Sequence, residues 1–461
     1  MEFVSANKIR SDFSALMSEM YQKEVPLYGD LLDLVKNINA QTLSQNIELK
    51  NQLKATGEQD RLSLERHGAI RLGTALELQN ICRIFAVMGM QPVGYYDLVP
   101  AGVPVFATAF RAVQSEDLNE CPFRVFTSLL RLELIEDEYL RNLSHKILQK
   151  RQIFTEKALA LTTKFEQQKG LNAFDAAEFI QEVLETFRWH KEAAVSQELY
   201  DSLHQQHRLI ADVVAFKGPH INHLTPRTLD IDWAQREMLK LGMSPKAVIE
   251  GPPTRKCPIL LRQTSFKALE EKVFFPSEQQ VNMGTHTARF GEIEQRGIAL
   301  TLKGRKLYDE LLDKSREQLG EAPNEYNSEK YIQILHDNFK NFPDDYNSLR
   351  LEKMAFFQYF LNENLDVDMC NFSEESEFES LISQGVISFE PIVYEDFLPV
   401  SAAGIFQSNL GDQQQTIYDL TSSQHVFEQH LGRKVINEIE IYESIQQQSI
   451  ENIKEKMKKR A

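Results

Sequence analysis

From Glu65 to about Leu130 the chain breaks into short β-prone runs, HGAIRLGT, GMQPVGYY, VPVFATAF and FRVFTSL, punctuated by Gly and Pro. Runs of this length, rich in β-branched and aromatic residues and bounded by turn formers, read as strands. Between the first and second, Leu76, Ile81, Ile84, Phe85 and Met88 recur on a helical period. The order strand, helix, strand, strand, strand constrains the chain to an α+β fold, because such strands need a helix to cover their apolar face.

Helical periodicity flanks this region. Ile9, Phe13, Leu16, Met17, Met20 and Tyr21 form one stripe behind a candidate cap at Ser5, and Leu31, Leu32, Val35 and Ile38 form a second. A polar stretch leads to Glu65. The region from about Glu136 to Ile210 reads as a helical insertion. Strand-like pieces return at Ala211-Asp-Val-Val-Ala-Phe, at Ile259 to Phe266 and at Thr287 to Glu294. The stretch from Gly304 to about Leu361 reads as helical and acidic, and the chain from Gln424 onward as one or two helices. At 461 residues one core is seldom enough. The expected organisation is a helical segment 1–64, a first β half 65–135, a helical insertion 136–210, a second β half 211–303, and a helical region 304–461 that includes a loop near 396–411. Two β-rich halves around an insertion suggest a duplicated βαβββ unit.

Charge and cysteine content exclude whole classes of function. With 51 Lys+Arg against 67 Asp+Glu the net charge is -16, which opposes binding to nucleic acid or anionic lipid. An anionic small substrate would need a local cation, either a metal or a placed arginine. Cys82, Cys121, Cys257 and Cys370 form no CxxC pair, so neither a thiolate zinc site nor a disulfide framework is indicated. The N-terminal MEFVSANKIRSDF lacks an apolar signal core, and no apolar run approaches the roughly 20 residues that span a bilayer. A soluble cytoplasmic protein is expected.

Three distant segments carry metal-binding residue types: ERHGAIR around His67, GPHINHLTPR with His220 and His223, and RFGEIEQRG with Glu292 and Glu294. Two histidines and a carboxylate leave coordination positions open, the arrangement by which non-haem Fe(II) holds substrate and dioxygen together. On a strand, His67, Ala69 and Arg71 share a face, with His67 and Arg71 about 13 Å apart at the Cα atoms. The structural alternative is a satisfied core histidine and a surface ion pair. In H-x-x-H the flanking Pro219 and Pro226 oppose a regular helix, so one ligand is expected rather than two, with Asn222 and Thr225 as turn or supporting groups. Asp230 and Asp232 form a D-x-D pair that reads more readily as a helix cap before Trp233 than as a metal site. Phe290, Glu292 and Glu294 share a strand face. Two buried carboxylates there repel unless a cation lies between them, so one can bind metal while the other pairs with Arg289 or Arg296. Nucleotide-binding glycine motifs, HExxH and GxSxG are missing from the sequence, and the one H-x-E, at His190, ends a helical pattern.

The runs EVPLYGDLL, ERHGAIRLGT, FAVMGMQPVGYYDL, VAFKGPHINHLTPRTLDID, HTARFGEIEQRGIALT and VYEDFLPVSAAGIFQSNLG resemble the 2-oxoadipate dioxygenase/decarboxylase family, also called 2-hydroxyglutarate synthase. The match runs from about Val4 to about Gly411. It implies a cupped β-sheet core like that of the vicinal oxygen chelate superfamily, built from βαβββ-type units with helical insertions. It implies Fe(II) held by His67, His223 and Glu292, and a substrate held by Arg71, Val400 and Ser401. It also implies conversion of 2-oxoadipate and O2 to 2-hydroxyglutarate and CO2, in lysine catabolism and with the R product. Residue identity alone leaves two rivals: a zinc-type hydrolase or isomerase of a small dicarboxylate using the same His/His/Glu site, and a noncatalytic binding module.

Overall fold

The computed structural model describes residues 2–266, 270–276, 282–287, 289–362, 375–398 and 423–460. The first helix, Ala6–Glu24, starts where the Ser5 side chain accepts from Lys8 N (3.2 Å) and buries Ile9, Phe13, Met17, Met20 and Tyr21. The second, Leu27–Gln45, buries Leu31, Val35 and Ile38. The polar stretch after it is helical as well, through Ile47–Ala55.

Four strands follow in the expected order: β1 (Arg66–Leu72), β2 (Gln91–Asp97), β3 (Val105–Arg111) and β4 (Phe123–Leu130), with the helix Ala75–Val87 after β1. Thr74 and Glu77 close that helix's N-terminus reciprocally, each side chain bonding the other's backbone N–H. The connection after β1 returns β4 to its side, so β1 and β4 run parallel while β2, β3 and β4 are antiparallel neighbours. On its other edge β1 pairs with β5 (Leu224–Pro226), giving the order β2-β3-β4-β1-β5. β1 is therefore an interior strand, flanked on both edges, and its residues His67 to Ile70 are buried.

Beyond the helices Glu138–Lys150, Glu156–Gln168, Ala173–Leu184 and Gln197–Gln206, the second half is built differently from the first among the described residues. β6 (Leu261–Phe266) pairs with β9 (Gly291–Arg296), and β7 (Glu271–Phe275) pairs with β8 (Asn282–His286), as two separate antiparallel ladders. One bridge, Arg227 to Glu294, joins β9 to the chain just after β5.

Two expectations are corrected. Ala211-Asp-Val-Val lies in a helix, Arg208–Val214, not a strand. Every residue from Leu209 to Val214 is buried, so the run shows no period of either kind, and the two valines tilted the reading toward a strand. The stretch expected to be helical up to Leu361 ends instead in β10 (Phe357–Leu361), paired with β11 (Ile387–Pro391). The final helix Glu438–Arg460 covers the ladder: Phe357 N donates to Gln446 Oε1 (2.8 Å) and Tyr359 N to Ser449 Oγ (3.1 Å). An aromatic strand that bonds to a helix edge carries little of the alternation that marks a half-exposed strand.

Candidate metal centre

His67 sits on the interior strand β1, opposite Arg124 of β4 on one side and Thr225 of β5 on the other. His223 precedes β5, in a non-helical run whose Asn222 N donates to Ala69 O (3.0 Å), hooking the run onto β1. Glu292 is the second residue of β9. Tyr21, from the first helix, ties these two segments together: its hydroxyl lies within bonding distance of both Asn222 O (3.1 Å) and Phe290 O (2.9 Å).

The three side chains converge. One ligand-type atom from each of His67, His223 and Glu292 lies within 4.8 Å of the others. His67 Nε2 is 3.0 Å and His223 Nε2 3.7 Å from Glu292 Oε1, and the imidazole rings stand nearly perpendicular, 5.1 Å apart. All three are buried, and Phe397 and Phe290 pack against the rings of His67 and His223.

The donor set fits a cation. Both ring nitrogens of His223 and Glu292 Oε2 are buried without a hydrogen-bond partner among the described residues, and such orphaned polar atoms are costly unless something ligates them. Burial holds His223 down to about 4, so its imidazole is neutral and its lone pair available. For Glu292 burial pushes upward, but His223, His67 and the Thr225 hydroxyl (2.8 Å) together keep it below the usual carboxylate range.

Glu294 plays a different part from Glu292. Its Oε2 lies 2.8 Å from His67 Nδ1, while Arg296 Nε and Nη2 donate to its two oxygens at 2.8 and 3.0 Å and Arg124 approaches at 3.5 Å. With that carboxylate beside Nδ1, Nε2 is the nitrogen that faces Glu292 and could reach a cation. Burial would lower His67, yet Glu294 and Glu292 carry it above its ordinary value. The sequence places both glutamates on one face, and the structure puts His67 between them.

Behind this centre lies a buried lattice that the sequence did not reveal. Arg124 Nη2 donates to Glu65 (3.1 Å) and Glu395 (2.5 Å), Arg227 Nη1 to Glu58 (2.7 Å) and Glu65 (3.2 Å), and Arg111 forks onto Asp396 (2.6 and 2.9 Å). It ties the run Tyr394 to Phe397 to the sheet.

Arg71, four residues along β1 from His67, donates through Nη1 to Asp212 Oδ2 at 2.5 Å. With the Asn222 amide oriented to satisfy its surroundings, its nitrogen donates to Ala69 O and its oxygen accepts from Arg71 Nη1 (3.1 Å) and His220 Nε2 (3.2 Å). Of the H-x-x-H pair only His223 reaches the centre; His220 lies 3.5 Å from Asp212 and packs edge-on to Trp189. Asp230 caps the helix Ile231–Lys240, accepting from Trp233 N (2.8 Å), and Asp232 takes Arg262 in a two-pronged pair. Val400 and Ser401 lie outside the described residues. Asp212 was missed, though a lone aspartate within the apolar run LIADVVAF is itself a signal that something must neutralise it.

The family model described as 2-oxoadipate dioxygenase/decarboxylase matches residues 13–409. A 2-oxoadipate dioxygenase/decarboxylase of Pseudomonas putida is 58% identical over 450 residues, covering 98% of this chain and 97% of that protein. One from Escherichia coli is 52% identical over 446 residues, 97% of this chain and 98% of its own. The crystal structure of the hydroxyglutarate synthase of Pseudomonas putida in complex with 2-oxoadipate superposes with a TM-score of 0.91 at 54% identity, covering 99% of this chain and all of that one.

Proposed function

Because the chain belongs to the 2-oxoadipate dioxygenase/decarboxylase family, we propose that it is an Fe(II)-dependent enzyme converting 2-oxoadipate and O2 to 2-hydroxyglutarate and CO2. Atoms balance in this reaction, both atoms of dioxygen ending in the products, so no separate reductant or 2-oxoglutarate cosubstrate is required. The observation that carries the reading is the buried His67, His223, Glu292 cluster with its orphaned ligand atoms, on a chain alignable end to end with relatives bearing that name.

Fe(II) bound there would supply open coordination positions for the 2-oxo acid head and for dioxygen. The chain's own residues do the rest. His223 offers a neutral nitrogen, His67 would give up its proton to a bound cation, and Glu292 adds a charge that would offset the cation's. Glu294 keeps the His67 lone pair on Nε2. Arg71 lies along the same strand at the distance a short diacid spans, and its guanidinium pairs with the distal carboxylate. Val400 and Ser401 complete the substrate contacts. Phe290 and Phe397 keep bulk water from the centre, which strengthens each polar interaction within it. In this reading residues 65–135 and 211–303 are two halves of a metal-binding core related to the vicinal oxygen chelate fold, the enzyme works in the cytoplasm, and its pathway is lysine catabolism. No helix among the described residues is long and apolar enough to cross a membrane.

Anaerobic loading with Fe(II), then addition of 2-oxoadipate and a measured amount of O2, tests the proposal. One O2 consumed and one CO2 released per 2-hydroxyglutarate, identified by mass, is the expected result. Turnover without O2 uptake, or equal activity with Zn(II), would transfer the site to hydrolytic or isomerase chemistry.

A further inference from the structure

The helix Arg208–Val214 contains one charged residue that turns inward. Asp212 is 5% exposed and its neighbours Ala211, Val213 and Val214 are buried and apolar. A carboxylate in such surroundings is tolerated only when both oxygens are paired. Oδ2 takes Arg71 Nη1 at 2.5 Å, and Oδ1 takes His286 Nε2 at 2.8 Å with His220 Nε2 at 3.5 Å. Tyr200 Oη in turn lies 2.7 Å from His286 Nδ1. Burial pushes the Asp212 carboxyl upward, but Arg71 and the two histidines hold it far below the usual range.

We propose that Asp212 is the positioning residue that aims Arg71 at the distal carboxylate of the substrate, with His286 and Tyr200 holding Asp212 in turn; this rests on the role given to Arg71 above. A guanidinium is a rigid planar fork, so fixing Nη1 fixes the plane of every other N–H. Arg71 Nη1 is fixed twice, by Asp212 and by the Asn222 oxygen, and Asn222 adjoins His223. The fork is thereby set relative to the metal centre by two independent contacts. Asp212 also cancels the charge of Arg71 before any substrate arrives. Selection of a diacid then depends on where the remaining donors of Arg71 point, and a general attraction to anions contributes little. Position, not charge, sets the preferred chain length.

The test compares KM and kcat for 2-oxoadipate and for 2-oxohexanoate, which lacks the distal carboxylate, using Fe(II)-loaded wild type, Asp212→Asn, Arg71→Ala and the double variant. Asp212→Asn should raise KM for 2-oxoadipate about tenfold, the usual size of coupling between contacting residues, and shrink the preference over 2-oxohexanoate by the same factor. In the Arg71→Ala background it should add nothing. Equal losses on both substrates, or additive effects in the double variant, would mean a merely structural role. A lower KM for 2-oxoadipate would mean that Asp212 competes with the substrate, and would equally overturn the proposal. A wild-type KM in Arg71→Ala alone overturns the reading of Arg71 and the proposal with it, whereas a raised KM there with an unaltered one in Asp212→Asn overturns only the proposal. If Asp212→Asn does not fold, Tyr200→Phe removes the outermost member of the chain while sparing the buried charges. It should produce a smaller rise confined to 2-oxoadipate, and a rise shared by both substrates overturns the idea.

Discussion

Replacing Glu292 and Glu294 one at a time by glutamine should give opposite signatures, although the two lie two residues apart on one strand. Glu292→Gln keeps the volume and an acceptor for Thr225 and Gln263, and it strands no arginine. The cost to the metal-free protein is then about 1 kcal/mol, the scale of an ordinary hydrogen bond, while stoichiometric metal binding is lost. Glu294→Gln removes the shared partner of Arg296, Arg124 and His67. Breaking a buried ion pair costs about 3–5 kcal/mol. Here Arg124 retains Glu65 and Glu395, and Arg296 retains the Tyr394 and Asp396 carbonyls, which puts the loss near 3 kcal/mol, at the low end of that range. Metal remains but its affinity falls about 10- to 100-fold, the usual effect of losing the group behind a ligating histidine. Urea unfolding of the metal-free protein, followed by the fluorescence of Trp189 and Trp233, reads the first quantity, and anaerobic Fe(II) titration calorimetry reads the second. Loss of all metal in Glu294→Gln with wild-type affinity in Glu292→Gln would refute the reasoning and transfer the ligand role.

Arg71→Ala should lower kcat/KM for 2-oxoadipate by about 2–5 kcal/mol in transition-state terms, more than tenfold, and Arg71→Lys should fail substantially too because an ammonium lacks the fork; steady-state kinetics measure both. For Glu294, burial pushes the carboxyl up, but Arg296, His67 and Arg124 hold it down to about 2 from an ordinary 4.5. A group depressed in the folded state contributes stability that is complete above about 4.5 and lost as the pH falls toward about 2, so acid should destabilise wild type through that window more steeply than Glu294→Gln, as read from the urea midpoint against pH. Asp230→Ala should cost about 1 kcal/mol of stability by uncapping the helix Ile231–Lys240 and leave metal content unaltered; a loss of metal would instead make the D-x-D pair a ligand site.

The local elements were legible because they depend on near neighbours. The stripe from Ile9 to Tyr21, the Ser5 cap, the strand-helix-strand-strand-strand order and the Asp230 cap are all set by periods and offsets of a few residues, and the structure has each of them. So was the alternation that puts His67 and Arg71 on one face of β1 and both glutamates on one face of β9. Where burial surrounds a segment the period disappears, and Ala211 to Val214 became a helix against expectation while Phe357 to Leu361 became a strand.

What the sequence could not decide is which groups face one another across the fold. Residue types at 67, 223 and 292 nominate ligands, but only the pairing of β1 with β5 and the Tyr21 tether to Asn222 and Phe290 bring them within 4.8 Å. Alternation left Glu292 and Glu294 equivalent. They differ because Arg296 and Arg124 already occupy Glu294 whereas Glu292 Oε2 has no such partner among the described residues. Asp212 meets Arg71 across 141 positions of sequence. Such contacts are long-range and their energies depend on how completely water is excluded, and exclusion is a property of the packed fold that no short stretch of sequence encodes.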